Sequence, residues 1–146
     1  MDPSPRDELN TVLNHLFDFA RRQIERHGEF FPFAAAVAAN GELRAVATQL
    51  DDDRPLSTAV IEDLYRVLTA EAASGEIRAA GVCADVLVTL PGAETKTDAL
   101  RADLEHVADD PVRVFLPYRK KRLRGYEWGE LVAEPGERHL QFASSS

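Results

Sequence analysis

The sequence predicts an α+β domain, an antiparallel five- to six-stranded sheet with two helices on one face, in the order α-β-β-α-β-β-β. Three observations carry this. Ile77 to Tyr118 reads as three strands folded back on one another, with breaks at Pro91-Gly92 and at Asp109-Asp110-Pro111. Two further extended runs meet at Asn40-Gly41, a preferred hairpin dipeptide. Two segments with helical apolar periodicity, opening near Ser4 and Ser57, flank that pair.

Each element has its own signature. Ser4-Pro5 followed by Asp7 and Glu8 is a helix start: a capping hydroxyl, proline at the first helical position, and acids near the positive end of the dipole. Leu9, Val12, Leu13, Leu16, Phe17, Ala20 and Ile24 share one helical arc, and Gly28 stops the helix after His27. Glu29 to Ala39 is apolar and extended, with Pro32 admissible only near a strand start or edge. Asn40-Gly41 predicts a two-residue type I′ turn, so Glu42 to Leu50 returns antiparallel. Asp51-Asp52-Asp53 and Pro55 lead into a second helix, Ser57 to Ser74, closed by Gly75, with Val60, Ile61, Leu64, Val67 and Leu68 as its buried stripe. The meander then runs Ala80 to Leu90, Thr97 to His106 and Val112 to Tyr118. A type II turn is expected at Glu134-Pro135-Gly136-Glu137, a short last strand at Arg138 to Phe142, and fraying over 143–146.

The totals narrow the function classes. A chain of 146 residues is expected to form one domain, 1–146. Its net charge of −8 argues against nucleic acid or an anionic membrane as partner of the body. The single Cys83 excludes an internal disulfide and suits a reducing compartment. No leader stands at Met1 and no apolar run is long enough to span a bilayer, so the expected location is the cytoplasm. The excess of arginine over lysine and the many alanines suggest a GC-rich bacterial genome.

The element order is similar to that of roadblock and profilin-like modules, in which helices cover an antiparallel sheet. EFFPFA at 29–34, VFLPYR at 114–119 and YEWGELVAEPGE at 126–137 resemble stretches of small, functionally uncharacterised bacterial proteins. That resemblance implies no activity and no catalytic residues.

Several residues are candidates for function, each with a plainer explanation. The run Arg119, Lys120, Lys121, Arg122 and Arg124 would receive a phosphate or an acidic partner, with Tyr126 and Trp128 as anchors. The plainer explanation is a solvated strand edge or loop, with Trp128 closing one end of the core. Glu71 falls within the apolar stripe of the second helix and Asp85 within the most apolar strand, so both are candidate perturbed acids. Escape of Glu71 to water past the sheet is the plainer outcome. Alternation places Val82, Ala84, Val86, Val88 and Leu90 on a covered face with Leu100, Ala102 and Leu104. Cys83, Asp85, Leu87 and Thr89 then share a charged outer face with Arg101, Asp103 and Glu105, where cross-strand ion pairs suffice as explanation. The expected register sets Glu105 opposite Arg113 in water, and Leu104 beside Val114 inside.

Cys83 has Asp85 close by, the wrong sign for an activated thiol. The four histidines show no metal spacing, and Asp51-Asp52-Asp53 lacks the glycine and glutamate of a calcium loop. No metal and no cofactor is expected. The leading expectation is a non-enzymatic interaction or regulatory module with a protein partner; a homodimer through a sheet edge is one form it would take. Acidic stretches at 51–53, 62–63 and 103–110 motivate an alternative, an inhibitor or immunity-type protein that neutralises a basic enzyme. A third is an enzyme using Glu71 or Asp85 with the basic run, which requires a deep pocket joining them.

Overall fold

In the computed structural model, which describes residues 3–143, the Ser4 hydroxyl accepts the Asp7 amide and the Asp7 carboxylate accepts the Ser4 amide. This reciprocal cap starts α1 (Pro5–His27), whose apolar arc is buried from Leu9 to Ile24. β1 (Phe33–Ala38) and β2 (Leu43–Val46) form the first hairpin, and α2 (Ser57–Ser74) follows. The chain continues through β3 (Ile77–Val88), β4 (Thr97–His106), β5 (Asp109–Lys120), β6 (Tyr126–Trp128) and β7 (Val132–Pro135). The protein is thus α+β, with a seven-stranded antiparallel sheet in the order β2-β1-β3-β4-β5-β6 and β7 beside β6 on β5. No described helix is long and apolar enough to cross a membrane.

Several expectations are corrected. The β1–β2 loop has three residues, since the Ala38 amide donates to Glu42 O and the Gly41 amide to Ala38 O, both at 2.8 Å. A type I′ turn needs positive φ at both central residues; here Gly41 has it (91°) and Asn40 does not. The sheet has more strands than five or six because β6 and β7 add one interrupted edge, broken where the Gly129 amide donates to Pro117 O. Arg138 to Phe142 is not a strand. It is a strap over the sheet, held where Glu105 Oε1 accepts the His139 and Leu140 amides at 2.9 and 3.0 Å. Ala143, expected to fray, donates its amide to Ala72 O; residues 144–146 lie outside the described residues.

The two helices, expected on one face, lie on opposite faces of the sheet. α1 packs on Ala35, Val37, Ala79, Cys83, Leu100 and Leu104, while α2 packs on Ala34, Ala36, Ala80 and Val82. Val82 pairs with Asp103 and Cys83 with Ala102, so the apolar residues of β4 share a face with Cys83, not with Val82. Small residues let both helices approach β1 and β3 closely. At Gly81 an added Cβ would stand 2.7–2.8 Å from side-chain atoms of Val12, Leu16 and Leu104, which leaves no room for alanine.

The β4–β5 turn centres on Val107-Ala108, about one residue earlier than expected, because the Ala108 amide closes it by donating to His106 Nδ1 at 3.0 Å. Moving a turn by one residue moves the partner by two and preserves the faces. Leu104 and Val114 therefore still lie together under α1, but Arg113 stands opposite Asp103 and bonds it at 2.6 Å. Glu105, expected in water, is buried beneath the strap.

Candidate functional site

Most charged side chains near the core are occupied with one another. At one end of β5, Arg78 of β3 and His106 of β4 converge on Glu8 of α1: Arg78 Nε lies 2.9 Å from Glu8 Oε2 and His106 Nε2 lies 2.9 Å from Oε1. Since His106 Nδ1 accepts the Ala108 amide, the ring proton sits on Nε2 and points at the carboxylate. Arg78 also donates to Ala39 O at 3.0 Å. Burial raises the Glu8 carboxyl, yet the bonds from Arg78 and His106 outweigh it and hold the group below its ordinary value. Both carboxylate oxygens and both ring nitrogens are engaged, which makes the cluster a clamp between α1, the β1–β2 loop and the β4–β5 turn.

The candidate acids are likewise partnered. Glu71 neither escapes to water nor stands alone: it forms an ion pair with Arg44 of β2. Asp85 accepts the Tyr118 hydroxyl at 2.7 Å; burial, opposed by that bond and aided by Asp98 and Glu29, raises its carboxyl. Cys83 is fully buried beneath α1, and burial pushes its thiol up, with Asp85 adding to the effect. Asp63, on α2, accepts Arg66, the Gln49 amide and the Thr48 hydroxyl, which lower its carboxyl and tie the β2–α2 loop to the helix. Among the described residues no group of histidine, cysteine and acids could hold a metal ion.

The basic run is different. It forms the end of β5 and the loop to β6, closed where the Lys121 amide donates to Gly125 O at 2.9 Å. Arg119 is paired with Glu127 across the hairpin at 2.8 Å. Lys120, Lys121, Arg122 and Arg124 make no ion pair or side-chain hydrogen bond among the described residues. Between the two arginines at the tip, Leu123 is 98% exposed. Sequence reasoning missed this leucine, although an apolar residue inside a run of cations was the available signal.

The base of the hairpin is packed with aromatic rings. Tyr118, Tyr126 and Trp128 form a ring cluster with centroids 5.1–6.5 Å apart. Trp128 Nε1 donates to Glu25 of α1 at 3.1 Å, and the Arg21 guanidinium lies 5.0 Å from its ring. Tyr126 and Trp128 thus pack against the core under the loop instead of presenting free faces beside it. Two clefts border the run, one lined by Thr97, Tyr118 and Trp128 with Arg119, the other by Arg119 to Arg122 with Glu127. Neither is lined by Glu71 or Asp85.

No family model matches the chain, and neither a curated protein nor a solved structure is significantly similar to it.

Proposed function

We propose that the chain is a cytoplasmic, non-enzymatic interaction module that docks on an acidic protein through the β5–β6 hairpin. The observation that carries this is a leucine at 98% exposure, flanked in the chain by four cations without partners among the described residues, on a packed aromatic base. An apolar anchor flanked by arginines suits a protein pocket, where the leucine is desolvated and the cations find carboxylates. The hairpin holds five of the seventeen basic residues, and taking those from the total of −8 leaves −13 on the rest. That remainder repels nucleic acid and anionic lipid, yet it orients the molecule so that the hairpin leads any encounter with an acidic protein.

The test is cross-linked capture from the native host with wild type and a variant carrying Lys120→Ser, Lys121→Ser, Arg122→Ser, Leu123→Asp and Arg124→Ser. Partners held by the wild type should be lost with the variant. They should also be lost as salt rises from about 0.1 M to about 1 M, where the screening length falls from about 10 Å to about 3 Å. Equal capture by both proteins, or wild type that instead sediments with anionic vesicles, overturns the reading.

A further inference from the structure

α1 lies over β1, β3 and β4, so the same face of β5 and β7 is left beside its flank as an open groove of about 550 Å³. Its wall and floor are apolar: Leu9 and Leu13 from α1, Val112 and Val114 from β5, Leu131 and Ala133 at the outer edge. Asp109 and Asp110 line the end where β5 begins, and neither has an ion-pair partner among the described residues. Arg6, a cation in the lining, stands on the α1 side. The volume is that of a ligand pocket, well beyond one leucine, and leaves space for the aliphatic stems of arginines flanking an inserted leucine.

The hairpin and the groove are complementary in kind. One is an apolar tip among cations outside any ion pair of the described residues; the other is an apolar floor beside two carboxylates likewise outside any ion pair, of which Asp109 accepts the Asp110 amide at 2.8 Å. The groove runs along β5 from Asp109 to Val114 and the hairpin loop begins beyond Lys120, roughly 20 Å further along the same extended strand at about 3.3 Å per residue, so they cannot meet within one molecule. Two molecules set antiparallel along β5 present each tip to the other's groove. Both contacts then form at once and the assembly closes under a two-fold axis. We infer that the groove receives the β5–β6 hairpin of a second copy, with Leu123 in the apolar floor and Arg122 and Arg124 reaching Asp109 and Asp110. This rests on the hairpin being the docking element and names its acidic partner as the chain itself.

Sedimentation velocity of the full chain at low salt tests the inference. Wild type should be a dimer that dissociates as salt is raised. A hairpin variant, Leu123→Asp, and a groove variant, Asp110→Lys with Leu131→Lys, should each be monomeric while keeping the wild-type circular dichroism; Leu123, Asp110 and Leu131 are all exposed. An equimolar mixture of the two variants retains one intact tip and one intact groove. It should associate again, with a Kd raised about 10²-fold because one contact replaces two. Wild type that stays monomeric up to about 1 mM overturns the inference. So does a groove variant that dimerises like wild type, or variants that fail to associate when mixed. Salt-sensitive capture of another protein by a monomeric wild type would sink this inference and leave the hairpin reading standing. A hairpin variant that captures and dimerises as wild type does would sink both.

Discussion

The two ends of β5 hold similar side chains in opposite circumstances. At its start, Glu8, Arg78 and His106 close on one another, and Glu8 and His106 are buried. At its far end, Lys120, Lys121, Arg122 and Arg124 have no partners among the described residues and flank an exposed leucine. Both groups look alike in a sequence, as charge next to an apolar strand. What separates them is whether each donor and acceptor is answered within the molecule. Answered groups hold elements together, and groups left over are available to something else.

The sharpest way to break that contrast is to remove the carboxylate of the clamp. Glu8→Ala takes the shared carboxylate from His106 and Arg78, of which Arg78 keeps the Ala39 carbonyl, and should cost about 2–3 kcal/mol in urea denaturation. That is less than the about 3–5 kcal/mol of a fully buried pair, since a third of the Arg78 side chain stays in water. The clamp also has a pH signature. Because the Glu8 carboxyl is held below its ordinary value, its contribution is present above the carboxylate value of the unfolded chain and lost as pH falls through the folded one. Glu8→Gln should therefore flatten the acid limb of the stability profile and leave the neutral and basic limbs parallel to wild type.

The strap comes next. Glu105→Ala orphans the amides of His139 and Leu140 and should cost about 1–3 kcal/mol. A loss confined to local opening would show as faster amide exchange over 138–143 with an unchanged global transition.

Much of the fold was legible because local chemistry set it. The Ser4 cap, the arc from Leu9 to Ile24, the stop of α2 at Gly75 and the whole of β4 follow from capping and periodicity. What escaped depends on partners distant in sequence. β1 and β3 are small and apolar on both faces because a helix covers each, so their alternation carried no sign of which face α1 takes. The charges of β4 suggested an open face, yet α2 lies over β1 and β3, and the C-terminal strap supplies the cover over Glu105. His106 gave no hint that its Nδ1 would close the turn and shift the register. At the candidate site the run itself was plain in the sequence. The exposure of Leu123 was signalled by its place inside a run of cations, whereas the pairing of Glu71 with Arg44 required the tertiary structure.

A smaller effect tests the corrected register. Asp103 and Arg113 face each other on neighbouring strands and are partly exposed, so a double-mutant cycle to alanine should return a coupling of about 0.2–1 kcal/mol. The same cycle on Glu105 and Arg113 should return nearly none, and the reverse result would restore the register in which those two are opposite.

The most direct test of the contrast is the smallest expected change, the urea denaturation, at about 1 M salt where wild type too is monomeric, of the hairpin variant in which Lys120, Lys121, Arg122 and Arg124 become serine and Leu123 becomes aspartate. Among the described residues these cations have no ion-pair or hydrogen-bond partner, so the variant's stability should stay within about 0.5 kcal/mol of wild type, with an unchanged slope. A loss as large as that of Glu8→Ala would show that the hairpin belongs to the fold and is not held in reserve for a partner.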